Sequence, residues 1–147
     1  MKASLVWSSP SPEKTIAVAM RRCYSTKPIE EIEAELDQKG PDYWKYLLTK
    51  ALQDKSLDVS EHFTMTFMVD GAKESEIGEL GRSLPYVRFL KAGSDSWMVS
   101  MNGRTLIEMW RSELSRRVAK VFVTELGSRG ICPLLIPLAF EERTNAG

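Results

Sequence analysis

Three polar residues alternate with apolar residues in the segment that runs from His62 to Val69. His62, the only histidine of the chain, is followed at every second position by Thr64 and Thr66. In an extended strand these side chains share one face at a spacing of about 7 Å. An imidazole and two hydroxyls in a row can bind a ligand through hydrogen bonds. The alternative is a solvent-exposed sheet face, with the histidine satisfied by local hydrogen bonds.

A second group with chemical potential is the tripeptide Asn102-Gly103-Arg104. Asn-Gly is typical of a type I′ hairpin turn, which is one interpretation. The apolar spacing from Thr105 onward instead favours a helix that Asn102 caps. In that case free N–H groups, a side-chain amide and a guanidinium meet at the positive end of a helix. Such a junction suits an anionic or electron-rich ligand.

The other charged residues are typical of solvated surfaces, and the two cysteines are typical of structural packing. Twenty basic and twenty acidic residues cancel, so the net charge does not favour a nucleic-acid partner. The arginine pairs at 21–22 and 116–117 are typical of solvated helix faces. Cys23 and Cys132 form no CxxC pair, which argues against a metal site, and we expect both to pack inertly.

The elements that must position these groups form a predicted α/β (α+β) fold with a central mixed sheet flanked by helices. We expect one domain over residues 1–147. Strands are predicted at 3–7, 62–69 and 97–101, and helices at 12–23, 28–39, 42–54, 72–83 and 103–126. The apolar tail from Cys132 to Phe140 should pack on the body, and the last five residues should fray. Neither a signal peptide nor a membrane-spanning run is visible, which predicts a cytoplasmic protein without a membrane partner.

Several segments of the chain resemble the flavin-dependent thymidylate synthases. The most specific are the Glu61-His62 pair before a strand and the segment from Met101 to Leu106, where the family has Met-Asn-Ala-Arg-Ser-Leu. The resemblance also covers Ser9-Pro10-Ser11-Pro12, Arg21-Arg22-Cys23-Tyr24-Ser25, Pro28-Ile29-Glu30-Glu31 and the Pro-rich tail.

The resemblance implies a homotetramer that holds FAD between subunits. It also implies methylation of dUMP to dTMP with methylenetetrahydrofolate and NADPH, a reaction in which the reduced flavin supplies the hydride. Residue by residue, His62 and Thr64 would touch the flavin, while Asn102 and Arg104 would hold it from the other element. The cofactor would be FAD, or another flavin nucleotide if FAD binding has been lost.

The chain departs from the family where the nucleotide phosphate should bind. Of the family's Arg-His-Arg motif, only Arg82 matches, as a flavin-binding candidate. The nucleotide-orienting arginine falls on Glu113, and the substrate-binding candidate Arg111 lies two residues, or about 200° of helix rotation, away. Three hypotheses follow: a thymidylate synthase-like flavoprotein, a non-catalytic or repurposed paralogue serving as an oligomeric binding partner, and an unrelated α/β interaction protein.

Overall fold

The computed structural model describes residues 1–54, 56–84 and 86–142, and for residue 83 the backbone only. The predicted fraying of the last five residues lies outside these ranges. The four strands are β1 (Lys2–Ser8), β2 (Thr64–Asp70), β3 (Arg88–Lys91) and β4 (Ser96–Asn102). The helices are α1 (Pro12–Arg22), α2 (Ile29–Lys39), α3 (Pro41–Gln53), a 3₁₀ helix (Leu57–His62), α4 (Glu74–Ser83), α5 (Gly103–Arg111), α6 (Arg116–Ser128) and α7 (Leu135–Ala139).

The strands form one sheet in the order β1-β2-β4-β3. This confirms the predicted α/β fold, but every strand pairing in the described part of the chain is antiparallel, whereas a mixed sheet was expected. The connection between β3 and β4 is only four residues long, and so short a connection requires an antiparallel hairpin. β3 itself was not predicted.

The two faces of the sheet differ in burial, as the alternation in β2 predicts. Its inner face carries Met65, Phe67 and Val69, each at most 1% exposed. The ring of Phe67 packs on Phe122 of α6 with 4.7 Å between centroids, which joins the sheet to the helical layer. The outer face carries side chains that are half-buried or exposed.

The first three helices follow the predicted boundaries closely. Pro12 occupies the first turn of α1, and Pro41 that of α3, where a missing N–H costs little. Gly40, with a φ of 77°, ends α2. The apolar spacing of α1 and α2 predicts that Cys23 and Ile29 are buried, which is wrong, because Ile29 is 43% exposed and Cys23 is also exposed. Both lie at helix ends, where the chain turns away and the apolar stripe no longer faces the core.

The predicted long helix over 103–126 is divided into α5 and α6. Side chains terminate α5, because Ser115 Oγ donates to the Met109 carbonyl (3.0 Å) and Arg116 Nε donates to the Trp110 carbonyl (2.7 Å). Serines near a helix end compete with the backbone in this way. In the resulting turn, Leu114 is 97% exposed.

The tail packs on the body as predicted. Cys132 and Phe140 are 2% and 6% exposed. The buried carboxylate of Glu13 in α1 accepts hydrogen bonds from the N–H groups of Leu134 (2.9 Å) and Leu135 (2.5 Å), which fixes the tail to the start of α1. Among the described residues, no helix is long and apolar enough to cross a membrane.

Candidate functional site

Two of the predicted site residues lie directly opposite each other at one end of the sheet. Thr64 begins β2 and pairs in register with Asn102, the last residue of β4. Residues paired across antiparallel strands project from the same face. Thr64, which carries a hydroxyl, is exposed, and Asn102 is half-buried.

Asn102 caps α5, as the sequence predicts. Its Oδ1 accepts the Thr105 N–H at 2.9 Å. The amide Nδ2 has no hydrogen-bond partner among the described residues, so its two N–H groups remain to donate to a ligand. The asparagine therefore fixes the start of the helix and presents a donor beside Thr64.

Gly103 brings the 3₁₀ helix against the start of α5. Its N–H donates to the Phe63 carbonyl at 2.7 Å. A Cβ at this position would lie 2.7 Å from the Ser60 carbonyl oxygen and 3.1 Å from the Phe63 ring. Only glycine fits so close an approach, and this approach places Glu61 within reach of Arg104.

Two carboxylates hold the Arg104 side chain. Its Nη1 lies 2.8 Å from Glu61 Oε1 and its Nε lies 3.1 Å from Glu108 Oε1. The hydrogen bond with Glu61, followed by that with Glu108, raises the pKa of the Arg104 guanidinium above its usual value. All three side chains are between 38% and 44% exposed, so the group is accessible to a ligand.

We call the group of Thr64, Asn102, Arg104, Glu61 and Glu108 the sheet-end corner. Its two carboxylates were not among the predicted site residues. The four-residue spacing between Arg104 and Glu108 on a helix is a signal that could have indicated one of them. Glu61 was visible only as the neighbour of His62, because its ion pair joins elements 43 positions apart.

His62 does not belong to the strand, contrary to the prediction of a strand from 62 onward. It is the last residue of the 3₁₀ helix and is exposed. It borders a shallow depression of about 320 Å³ together with Arg22 and Cys23. The third member of the predicted polar row, Thr66, shares a 2.9 Å hydrogen bond with Ser100 across the sheet.

The other two predicted residues lie away from the sheet-end corner. Arg82, in the last turn of α4, lines a cleft of about 770 Å³ that also includes Gly71, just after the far end of β2. Along β2 the distance from Thr64 to Gly71 is about 23 Å at strand spacing. Arg111 is exposed at the end of α5. One copy of the chain therefore does not bring either arginine to Asn102.

The chemistry available at the corner is hydrogen-bond donation from a hydroxyl, an amide and the remaining Nη2 of the guanidinium. With two carboxylates against one guanidinium, the ionic group carries a net formal charge of −1. Within the described residues, no set of three or more His, Cys, Asp or Glu side chains could hold a metal ion. The corner suits an electron-rich, acceptor-bearing ligand better than a multiply charged anion.

Comparisons with known proteins relate the fold to one enzyme family. The sequence matches no protein-family model and no curated protein. The structure is similar to a flavin-dependent thymidylate synthase from Helicobacter pylori complexed with FAD and dUMP, with a TM-score of 0.64, 12% identity and coverage of 96% of this chain and 100% of the other. A second structure of thymidylate synthase X from Helicobacter pylori, also with FAD and dUMP, gives a TM-score of 0.61 at 12% identity and covers 95% and 97% of the two chains. At this identity the similarity establishes a thymidylate synthase-like fold.

Proposed function

We propose that this protein binds a flavin nucleotide, FAD or a smaller one, at the sheet-end corner. The observation that carries the proposal is the register of β2 and β4, which sets Thr64 opposite Asn102, two residues before Arg104 in the chain. The similar structures contain FAD, which supports a flavin as the ligand. Because these structures are only 12% identical to this chain, the assignment of the site depends on the residues of this chain.

The side chains of the corner fit the ring of a flavin. An isoalloxazine presents carbonyl oxygens and ring nitrogens as acceptors, and the corner presents donors from Thr64, Asn102 and Arg104. Because Glu61 and Glu108 surround the guanidinium, a pyrophosphate would be repelled there. The ring would bind at the corner, with its phosphates directed away from these carboxylates.

A bound flavin would supply hydride transfer, while this chain would supply position, hydrogen bonds and local charge. His62 is a further proposed flavin contact from the end of the 3₁₀ helix. Its exposure and its position two residues before Thr64 support that role. It would approach from the side of the depression shared with Arg22, and not from the strand face that the sequence indicated.

We further propose that the chain alone does not methylate dUMP efficiently. Glu113 stands where the resemblance calls for an arginine, and Arg82 and Arg111 lie away from the corner. A phosphate without two charge-assisted hydrogen bonds loses several kcal/mol of binding free energy. The alternative role is that of a non-catalytic or repurposed paralogue, and a uracil nucleotide, folate and NADPH are ligands only if activity remains.

The proposed assembly is a homo-oligomer, a tetramer by resemblance, formed by a single-domain cytoplasmic chain. One hydrophobic cluster extends from β1 to Phe140, which supports a single domain. Apolar side chains on the half-buried outer face of the sheet support self-association. In such an assembly Arg82 or Arg111 of one copy could reach the corner of another.

Flavin retention tests the proposed site. The purified protein should absorb at about 450 nm, as oxidised flavins do. We expect His62→Ala, Thr64→Val and Arg104→Ala to reduce the flavin content without unfolding the chain, because all three residues are exposed or half-buried. Thr124→Val, at an exposed position of α6, is the matched control. Equal flavin content in all four variants would remove the assignment.

Thymidine-free growth distinguishes an active synthase from a degenerate one. A thymidine-requiring strain that expresses this protein should fail to grow without thymidine. The reason is that Glu113 replaces a phosphate-binding arginine, and Arg82 and Arg111 lie away from the sheet-end corner. Expression of a complete synthase in the same strain is the positive control. Growth supported by this chain would show that it makes thymidylate despite the missing residues.

A further inference from the structure

The α4–α6 cleft has a volume of about 770 Å³ and is distinct from the proposed flavin site. Its volume is typical of small-molecule sites, which span roughly 300–1,000 Å³. The cleft lies between α4 and the start of α6, beside Gly71 at the far end of β2. It is thus separated from the sheet-end corner by the length of a strand.

Two arginines from different helices line this cleft. Arg82 is in the last turn of α4 and Arg117 is in the first turn of α6. Neither guanidinium makes a hydrogen bond or ion pair within the described ranges. Both are therefore available to a ligand that enters the cleft.

The rest of the lining decides which anion would fit. Leu80, Val118 and Val121 provide an apolar wall. Glu76 and Glu79 also line the cleft, and Glu76 accepts the Lys73 N–H at 2.9 Å. Among the side chains that line the cleft, these two carboxylates balance the two guanidinium charges. The balance favours a ligand with one negative charge over a dianion, and two arginine forks suit the planar geometry of a carboxylate.

We propose that the α4–α6 cleft binds a monoanionic carboxylate with an apolar body. The carboxylate lies between Arg82 and Arg117, and the apolar part packs on the wall formed by Leu80, Val118 and Val121. This assignment gives Arg82 a ligand other than the flavin. It also gives a role to Arg117, which was predicted to lie on a solvated helix face. It does not depend on flavin binding at the opposite end of the sheet.

Calorimetric titration with octanoate tests the proposal. Octanoate should bind saturably with one site per chain, and Arg82→Gln or Arg117→Gln should each weaken it by about tenfold, the loss typical of one charge-assisted hydrogen bond. Arg88→Gln, at an exposed arginine of β3 outside the cleft lining, should bind as the wild type does. Flavin absorbance of the same samples is measured separately, so that each site is judged by its own readout.

Two analogues define the head group. 1-Octanol has the same chain without the charge and should bind at least about tenfold more weakly than octanoate. Octyl phosphate, a dianion near neutral pH, should also bind more weakly because of the two glutamates. Equal binding by octanol, tighter binding by octyl phosphate, or an equal loss in Arg88→Gln would overturn the proposal. Unchanged binding in both cleft variants would also overturn it.

Discussion

At the scale of single residues, carboxylates make more of the polar contacts that fix this structure than the single histidine does. Glu61 and Glu108 set the position of Arg104, whereas His62 is exposed and has no hydrogen bond in the described ranges. The histidine was predicted as a site residue because it is the only histidine in the sequence. The glutamates were inconspicuous among twenty acidic residues, and their role depends on contacts that only folding creates.

The buried carboxylate of Glu13 anchors the tail. It is 8% exposed and accepts two backbone N–H groups, and burial, against the effect of these bonds, raises its pKa. Glu13→Ala leaves both donors without an acceptor, which should lower the free energy of unfolding by about 2–3 kcal/mol in urea titrations. Glu33→Ala, at an exposed position of α2, should change it by less than about 0.5 kcal/mol. A similar effect in both variants would show that the tail is held by apolar packing alone.

Glu35 gives the protein a defined response to acid. Hydrogen bonds from Lys39 and then Arg21 lower the pKa of Glu35 to about 2, from an ordinary value of 4.5. A lowered folded-state pKa means that the contribution to stability is complete above about pH 4.5 and is lost as the pH falls towards 2.

Glu35→Gln tests this response to acid, because it removes the charge of the carboxylate. We expect it to reduce stability at pH 7, and we expect the difference from the wild type to shrink between pH 4.5 and 2 in urea titrations at several pH values. Glu33→Gln, in the same helix but without an ion pair in the described ranges, should follow the wild type throughout. A Glu35 difference that stays constant with pH would contradict this assignment.

At the scale of elements, the sequence predicted what regular patterns encode. The alternation of β2 and the cap at Asn102 both come from short-range chemistry, and both are confirmed. β3 was missed because it lies at a sheet edge and has only four residues, two apolar ones between two charged ones, which show no alternation. The break between α5 and α6 was missed because the apolar stripe continues across it, while the serine and arginine bonds that end α5 depend on tertiary geometry.

The contact between the 3₁₀ helix and α5 depends on Gly103. Gly103→Ala would force its Cβ against the Ser60 carbonyl, and we expect a loss of about 2 kcal/mol in the free energy of unfolding. Gly127→Ala is the matched control, because its Cβ would meet only Ile136 at 3.9 Å and alanine favours a helix. The control should leave stability unchanged or raise it. If alanine were tolerated equally at both positions, the close approach of the two elements would not be essential.

At the scale of the whole molecule, one face of the sheet is less buried than the other. On that face Met68 pairs with Met98, and Met98 pairs with Leu90, so that three apolar side chains form a row across the strands. Leu90 is 64% exposed. Sequence alternation predicted that β2 has two different faces, but the row across strands arises only from their register.

Self-association through this face is the prediction that joins the row to the proposed oligomer. Met98→Lys places a charge at the centre of the row, where burial in an interface would cost several kcal/mol. In one copy Met98 is half-buried, so the lysine ammonium can reach water and the chain should stay folded. Light scattering after size exclusion should therefore show a smaller assembly for Met98→Lys than for the wild type, with unchanged circular dichroism. Thr124→Lys, on the exposed side of α6, should keep the wild-type mass, and an unchanged mass for Met98→Lys would place any interface elsewhere.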